Sequence, residues 1–251
     1  SHLVQRRDSY GMTAFIRLLD NLFILAAKRW KPKTQPDTRV ERLVRPIVWR
    51  TLSFLLVIVI SFGSLFAGET TFVKYVIDGD TIILKSGENV RYIGIDAPEI
   101  DRENKKAEPL GYAARSFNQK LLGSKRIRLE FDHEKRDHYS RLLAYIYLPD
   151  GTFINLKLLR SGLATYLHKP PNLKYADSFL KAQQAAMTAK KGLWCSWSEQ
   201  SRPYVGNRKS KRFHLPGCPY GKKTATANRV AFSKQWDAYW QGYSHCKKCL
   251  K

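Results

Sequence analysis

VIDGDTIILKSGENVRYIGIDAPE, running from Val76 to Glu99, is the stretch on which the reading of this chain turns. Strand-forming residues occupy Val76-Ile77, Thr81 to Leu84, Val90 and Tyr92-Ile93, and breaks fall at Gly79, Ser86-Gly87-Glu88-Asn89 and Pro98. That pattern predicts two strands joined by a tight turn, with a third segment ending at Pro98. Asp78, Asp80, Asp96 and Glu99 fall at strand ends, and Arg91 lies on the strand between them. Taken singly, Asp-Gly-Asp is a common turn and Asp-x-Pro-Glu an ordinary strand end before a helix. Taken together they suit a hard cation beside a phosphate: Asp80 and Asp96 offer oxygen ligands, and Arg91 a planar fork for phosphate oxygens. Glu99 remains as a carboxylate able to take a proton from water.

Downstream, Asp137-His-Tyr-Ser-Arg141, Asp150-Gly-Thr-Phe-Ile-Asn155 and Gly162-Leu-Ala164 follow in order. With Asp-Gly-Asp-Thr-Ile and Arg-Tyr-x-Gly-Ile-Asp-Ala-Pro-Glu, this set resembles the thermonuclease, or staphylococcal nuclease-like, family from about Thr71 to Trp194. The resemblance implies an α+β fold, an OB-type five-stranded β-barrel with flanking helices, which suits oligonucleotide binding on one face. It implies calcium held by Asp80, Asp96 and the backbone carbonyl of Ala97, where only a carbonyl is needed and alanine replaces the family's frequent threonine. Asp78 would orient water around the ion, and Arg141 would join Arg91 and Glu99 as a catalytic residue. Tyr139, next to Arg141, is in reach of a phosphate or a base, or packs; Tyr166 is carried over as a substrate contact although the loop length departs from the family's. The implied activity is metal-assisted hydrolysis of DNA and RNA leaving 3′-phosphate ends, with no small-molecule cofactor.

Around this region the pattern continues. Gly111 to Leu122 has a helical apolar face at Ala113, Ala114, Phe117, Leu121 and Leu122. Lys125 to Phe131 alternates as a strand, and Leu142 to Leu148 is a second strand. Two helices are expected over Phe153 to Leu163 and Tyr175 to Lys190, with Trp194 in the core.

The 251 residues suffice for one or two domains and carry a formal net charge of +23. From Gly68 onward Lys and Arg still outnumber Asp and Glu, 33 to 17. Such an excess points to a polyanionic partner, nucleic acid or an anionic membrane surface. Residues 1–47 form a basic segment of unclear status. Residues 48–67 hold a positive flank and an apolar run from Leu52 to Ala67, read as a signal peptide or, alternatively, an uncleaved membrane anchor; a buried helix is a third reading. Either of the first two exports the remainder, to the periplasm or outside the cell. The nuclease-like domain is expected over 68–197 and a linker over 198–212.

Residues 213–251 hold a second constellation, His214-x3-Cys218 and Cys246-x2-Cys249. Three thiolates and an imidazole favour zinc over calcium or magnesium, and so short a module needs a staple. A disulfide among Cys218, Cys246 and Cys249 is the competing reading. Cys195 is expected to stay free, and His245 is a less well spaced ligand. Val205-Gly-Asn-x-Lys-Ser-Lys-x-Phe-His-Leu-Pro-Gly-Cys218 and Gly242-Tyr-Ser-His-Cys-Lys-Lys-Cys249 resemble the zinc module of the bacterial Ada protein, with His214 where that pattern begins with cysteine. The modest expectation is a structural site that presents Lys209, Lys211, Arg212, Lys222, Lys223, Lys247 and Lys248 to nucleic acid. The alternative to an exported nuclease is a non-catalytic or membrane-tethered nucleic-acid-binding protein used in DNA uptake or transfer.

Overall fold

The structure, a computed structural model, describes residues 69–101, 106–199 and 201–250. The N-terminal expectations, the basic segment 1–47 and the signal or anchor 48–67, lie outside the described residues. Among those described, no helix is long and apolar enough to cross a membrane.

The chain opens with β1 (Glu69–Val76), β2 (Thr81–Leu84), β3 (Asn89–Tyr92) and the short β4 (Ile95–Asp96). Helix α1 (Gly111–Leu122) precedes β5 (Arg126–Glu130) and β6 (Leu142–Tyr147). Then come α2 (Ile154–Arg160), β7 (Thr165–Tyr166), α3 (Ala176–Thr188) and a 3-10 turn at Gly192–Trp194. Strands β1, β2, β3, β6 and β5 close into a barrel. Closure depends on β1 serving two neighbours. Its residues Glu69 to Phe72 pair with β5, and its residues Val73 to Val76 pair with β2, with an irregularity between Val73 and Tyr75. A bulge there bends the strand from one neighbour to the next. Strand β3 runs parallel to β6; the other barrel pairs are antiparallel.

Alternation supplies the filling. Ile127 and Leu129 of β5 point inward and are fully buried, while Arg126, Arg128 and Glu130 face outward, as the sequence pattern indicates. Helix α1 differs from expectation in its stripe. Gly111, Ala114, Asn118 and Leu122 are the buried positions and Ala113 is exposed, so a polar residue lies within the buried face. Helix α2 is shorter than expected, and the expected loop after it contains β7, which pairs with β4.

The remaining chain forms β8 (Tyr204–Asn207), β9 (Arg212–His214), α4 (Pro219–Lys222), β10 (Arg229–Phe232), α5 (Gln235–Trp240) and β11 (Ser244–His245). Its sheet has the order β10-β8-β9-β11. Strand β8 therefore falls within the stretch expected as linker. Ala186, Met187 and Trp194 pack with Tyr204, Phe213 and Tyr239 in a second core. Trp194 is buried as expected, but in this second core rather than inside the barrel. Helix α3 serves both cores, with Phe179 and Ala182 on the barrel side and Ala186 and Met187 on the other. Glu199 stitches the junction, its carboxylate accepting from the backbone N–H groups of Gln235 and Trp236 at the start of α5, both at 2.8 Å. A carboxylate there also complements the helix N-terminus.

Candidate active site and metal centre

The loop from β1 to β2 carries Asp78, Gly79 and Asp80, and all the functional geometry begins there. Ile77 and Asp78 donate their N–H groups to the carbonyl of Thr81, and Asp80 N–H donates to Asp78 Oδ1 at 3.0 Å. Gly79 is pressed against its surroundings: an added Cβ would lie 2.6 Å from the Ala97 Cβ and 2.8 Å from that of Ala114. From α1, Asn118 donates to the carbonyls of Asp78 and Gly79, both at 3.3 Å, and accepts from the Tyr92 hydroxyl at 3.1 Å. The carboxylate loop is thus held from behind by a fully buried amide.

Arg91 lies at the centre of the cluster. Its Nη1 is 2.9 Å from Asp80 Oδ1 and its Nη2 is 2.9 Å from Asp96 Oδ1. The other Asp80 oxygen accepts the Ala97 N–H at 2.5 Å. Both aspartates are buried. Burial pushes the Asp80 carboxyl up to about 8; Arg91 opposes this, while Asp78 and Asp96 add to it. Burial acts on Asp96 in the same direction, but Arg91 and then Lys247 outweigh it and hold that carboxyl below the ordinary range. For Arg91, burial would favour the neutral form, and Asp80, Asp96, Asp78 and Glu99 more than reverse that. The guanidinium is a fixed charge inside a carboxylate ring.

Glu99 sits past Pro98 on the open side, its side chain 43% exposed. Its backbone is clamped to Glu108: the Glu99 carbonyl accepts the Glu108 N–H at 2.9 Å, and the Glu99 N–H donates to Glu108 Oε2 at 3.1 Å. Gly111 permits this, since a Cβ there would lie 2.4 Å from the Glu99 carbonyl oxygen.

Arg141 directly precedes β6. The parallel register sets Leu142 opposite Val90 and Leu143 opposite Arg91, so the two arginines come from adjacent strands. Asp137 orients Arg141, accepting from Nε at 2.8 Å and from its N–H at 3.0 Å. The Tyr139 ring is 70% exposed, with the Arg141 guanidinium 5.4 Å from its centroid. Tyr166 is placed otherwise. It lies on β7 opposite Ile95, is 5% exposed, and bonds His168 Nδ1 through its hydroxyl at 3.1 Å. The pairing of β7 with β4 turns Tyr166 inward, where the resemblance implies a substrate contact.

Asn118 was not among the expected site residues. Its signal in the sequence is a lone amide on an otherwise apolar helical stripe. Lys247 was expected on a nucleic-acid face, yet its Nζ is 3.0 Å from Asp96 Oδ1 and 3.5 Å from Glu99 Oε1.

In the C-terminal module, His214, Cys218, Cys246 and Cys249 converge, their ligand atoms all within 4.8 Å of one another. A tetrahedral ion bound at about 2.3 Å to sulfur and about 2.0 Å to nitrogen requires separations of this order. All four cysteines are free thiols, and Cys195 is exposed and apart from the cluster. His245 also stands outside it, bonded through Nδ1 to the Tyr239 hydroxyl at 2.8 Å. Of the expected basic face, Lys209, Lys222, Lys223 and Lys248 are exposed. Arg212 instead donates to the His245 carbonyl at 2.8 Å, and Lys211 lies over the Tyr243 ring.

The closed five-stranded barrel carries buried carboxylates bridged by an arginine, and sequence comparisons place the chain among hydrolases of the nuclease class. The family model described as staphylococcal nuclease homologue matches residues 89–196. A thermonuclease of Staphylococcus intermedius is 46% identical over 130 residues, covering 51% of this chain and 77% of that protein. A thermonuclease of Staphylococcus hyicus is 42% identical over 132 residues, covering 51% and 78%. Endonuclease YncB of Bacillus subtilis is 40% identical over 138 residues, covering 53% and 62%. The chain belongs to the staphylococcal nuclease family.

Proposed function

We propose that this chain is an exported, calcium-dependent nuclease that hydrolyses phosphodiester bonds in DNA, RNA or both, assisted by a zinc-stapled module that binds nucleic acid. The observation that carries the reading is the Arg91 fork between two buried aspartates, with the half-exposed Glu99 at the open rim. The donor set fits a hard cation, since Asp80, Asp96 and the Ala97 carbonyl offer oxygen only. Asp80 is buried, and a further positive charge beside it would favour its ionised form. When bound, calcium would polarise the phosphate and offset its growing charge.

The chain's own residues do the rest. Asp78 orients water beside the aspartates. Arg91 and Arg141 take the phosphate oxygens and stabilise the charge that builds on them as a fifth oxygen approaches phosphorus. Glu99 accepts a proton from the attacking water. Arg141 stands ready at the departing oxygen, and Tyr139 offers a ring to the adjoining base. Because these contacts address phosphate, base selectivity is low. His214, Cys218, Cys246 and Cys249 would hold zinc, which fixes the fold of the module. Export rests on residues 52–67.

Supercoiled plasmid incubated with the protein and calcium tests the reading. Degradation that is abolished by chelator, and reduced roughly a hundred- to ten-thousandfold in Glu99→Gln, supports it. Intact plasmid under every condition, with DNA still retarded on a gel, overturns it in favour of a binding module.

A further inference from the structure

Lys247 lies between the two cysteines of the Cys246-x2-Cys249 turn and reaches across to the barrel. Its ammonium donates to Asp96 Oδ1 at 3.0 Å and stands 3.5 Å from Glu99 Oε1. The turn that presents it is firmly built. Cys249 and Leu250 donate their N–H groups to the Cys246 carbonyl, and Cys246 N–H donates to the Phe213 carbonyl at 3.0 Å. On the receiving side, Asp96 Oδ1 already accepts from Arg91 at 2.9 Å, so this one oxygen is shared by two cations from separate parts of the chain. The side chain is 45% exposed, open to exchange with solvent ions.

We propose that Lys247 is a positioning residue of the active site, a tethered cation that braces Asp96 against Glu99 and competes with the divalent ion for Asp96. This inference rests on the calcium reading of the barrel site. Its physical content is linkage: an ammonium bonded to a ligand oxygen must be displaced, or share that oxygen, when calcium binds. The site is thereby tuned to take up calcium only where the ion is plentiful. The C-terminal module has a part in the chemistry beyond holding nucleic acid.

Calcium binding to the full chain, followed by isothermal titration calorimetry, tests this without reference to turnover. Lys247→Met keeps the length of the side chain and removes the charge. It is expected to bind calcium roughly five- to tenfold more tightly than wild type, the scale of one partly buried ion pair. Lys247→Arg retains a cation and should return the affinity toward wild type. Lys181→Met, on the exposed face of α3, should leave it unchanged. The calcium concentration giving half-maximal plasmid cleavage should fall with Lys247→Met in step with the binding constant. Calcium affinity equal to or weaker than wild type in Lys247→Met, while wild type binds calcium and cuts plasmid, overturns the inference alone. A wild-type chain that takes up no calcium and cuts nothing overturns the calcium reading and this inference together.

Discussion

Asn118 makes the clearest case at the scale of single residues. Its amide is fully buried and serves two carbonyls of the carboxylate loop and one tyrosine hydroxyl. Asn118→Ala leaves those groups facing each other without partners or water, at a cost of about 3 kcal/mol. Urea denaturation should register that loss, and calorimetry should show weaker calcium binding because Asp78 and Asp80 lose their backing. Gly79→Ala acts on the same loop from the front. The added methyl meets Ala97 and Ala114 at distances no real contact tolerates, so the loop must shift, at about 1–3 kcal/mol. Asp80, Arg91, Asp96 and Glu99 were legible in the sequence because they fall within one short stretch, where spacing alone brings them near. Lys247 was not, being 151 residues from Asp96, and its charge is equally suited to a phosphate-binding surface. The inward turn of Tyr166 was not legible for a related reason, since a two-residue pairing of β7 with β4 decides which way the ring turns.

Among the elements, β5 shows how a strand end can fasten a helix. Glu130, its last residue, accepts from Lys174 Nζ and the Tyr175 hydroxyl at 2.7 Å each, and from Arg128 Nη1 at 3.3 Å. Partial burial works against ionisation, but Lys174 and Tyr175 prevail and hold the carboxyl below its ordinary value. The folded chain therefore ionises Glu130 more readily than the unfolded chain does. The stabilisation is present above the unfolded value and disappears as pH falls through the folded one. Melting temperature measured from pH 7 down to pH 3 should fall along that limb, and Glu130→Gln should flatten it while lowering the neutral-pH value. The outward placement of Glu130 was readable from the alternation of residues 125–131. Lys174 and Tyr175 were not, because they come from the residues just before α3, about which alternation says nothing.

For the molecule as a whole, the cysteine cluster adjoins the second core, against which Cys249 packs. Aromatic rings dominate that core: Trp194 meets Trp236 and Tyr239 edge to face at 5.9 and 5.3 Å. Stripping metal with a strong chelator should loosen the core and shift tryptophan fluorescence. Thiol titration offers an independent check. Metal-loaded protein should expose Cys195 alone to reagent, and stripped protein should add Cys218, Cys246 and Cys249. The bond pattern of Gln183 carries this further. Its carbonyl accepts the Tyr166 N–H and its amide donates to the Tyr239 carbonyl, each at 2.7 Å, so one side chain spans both cores. Opening either core exposes the other half of that bridge, and the two should therefore melt in a single cooperative transition. The Tyr166 amide then becomes a reporter: its hydrogen exchange should quicken when the protein is treated with a strong chelator.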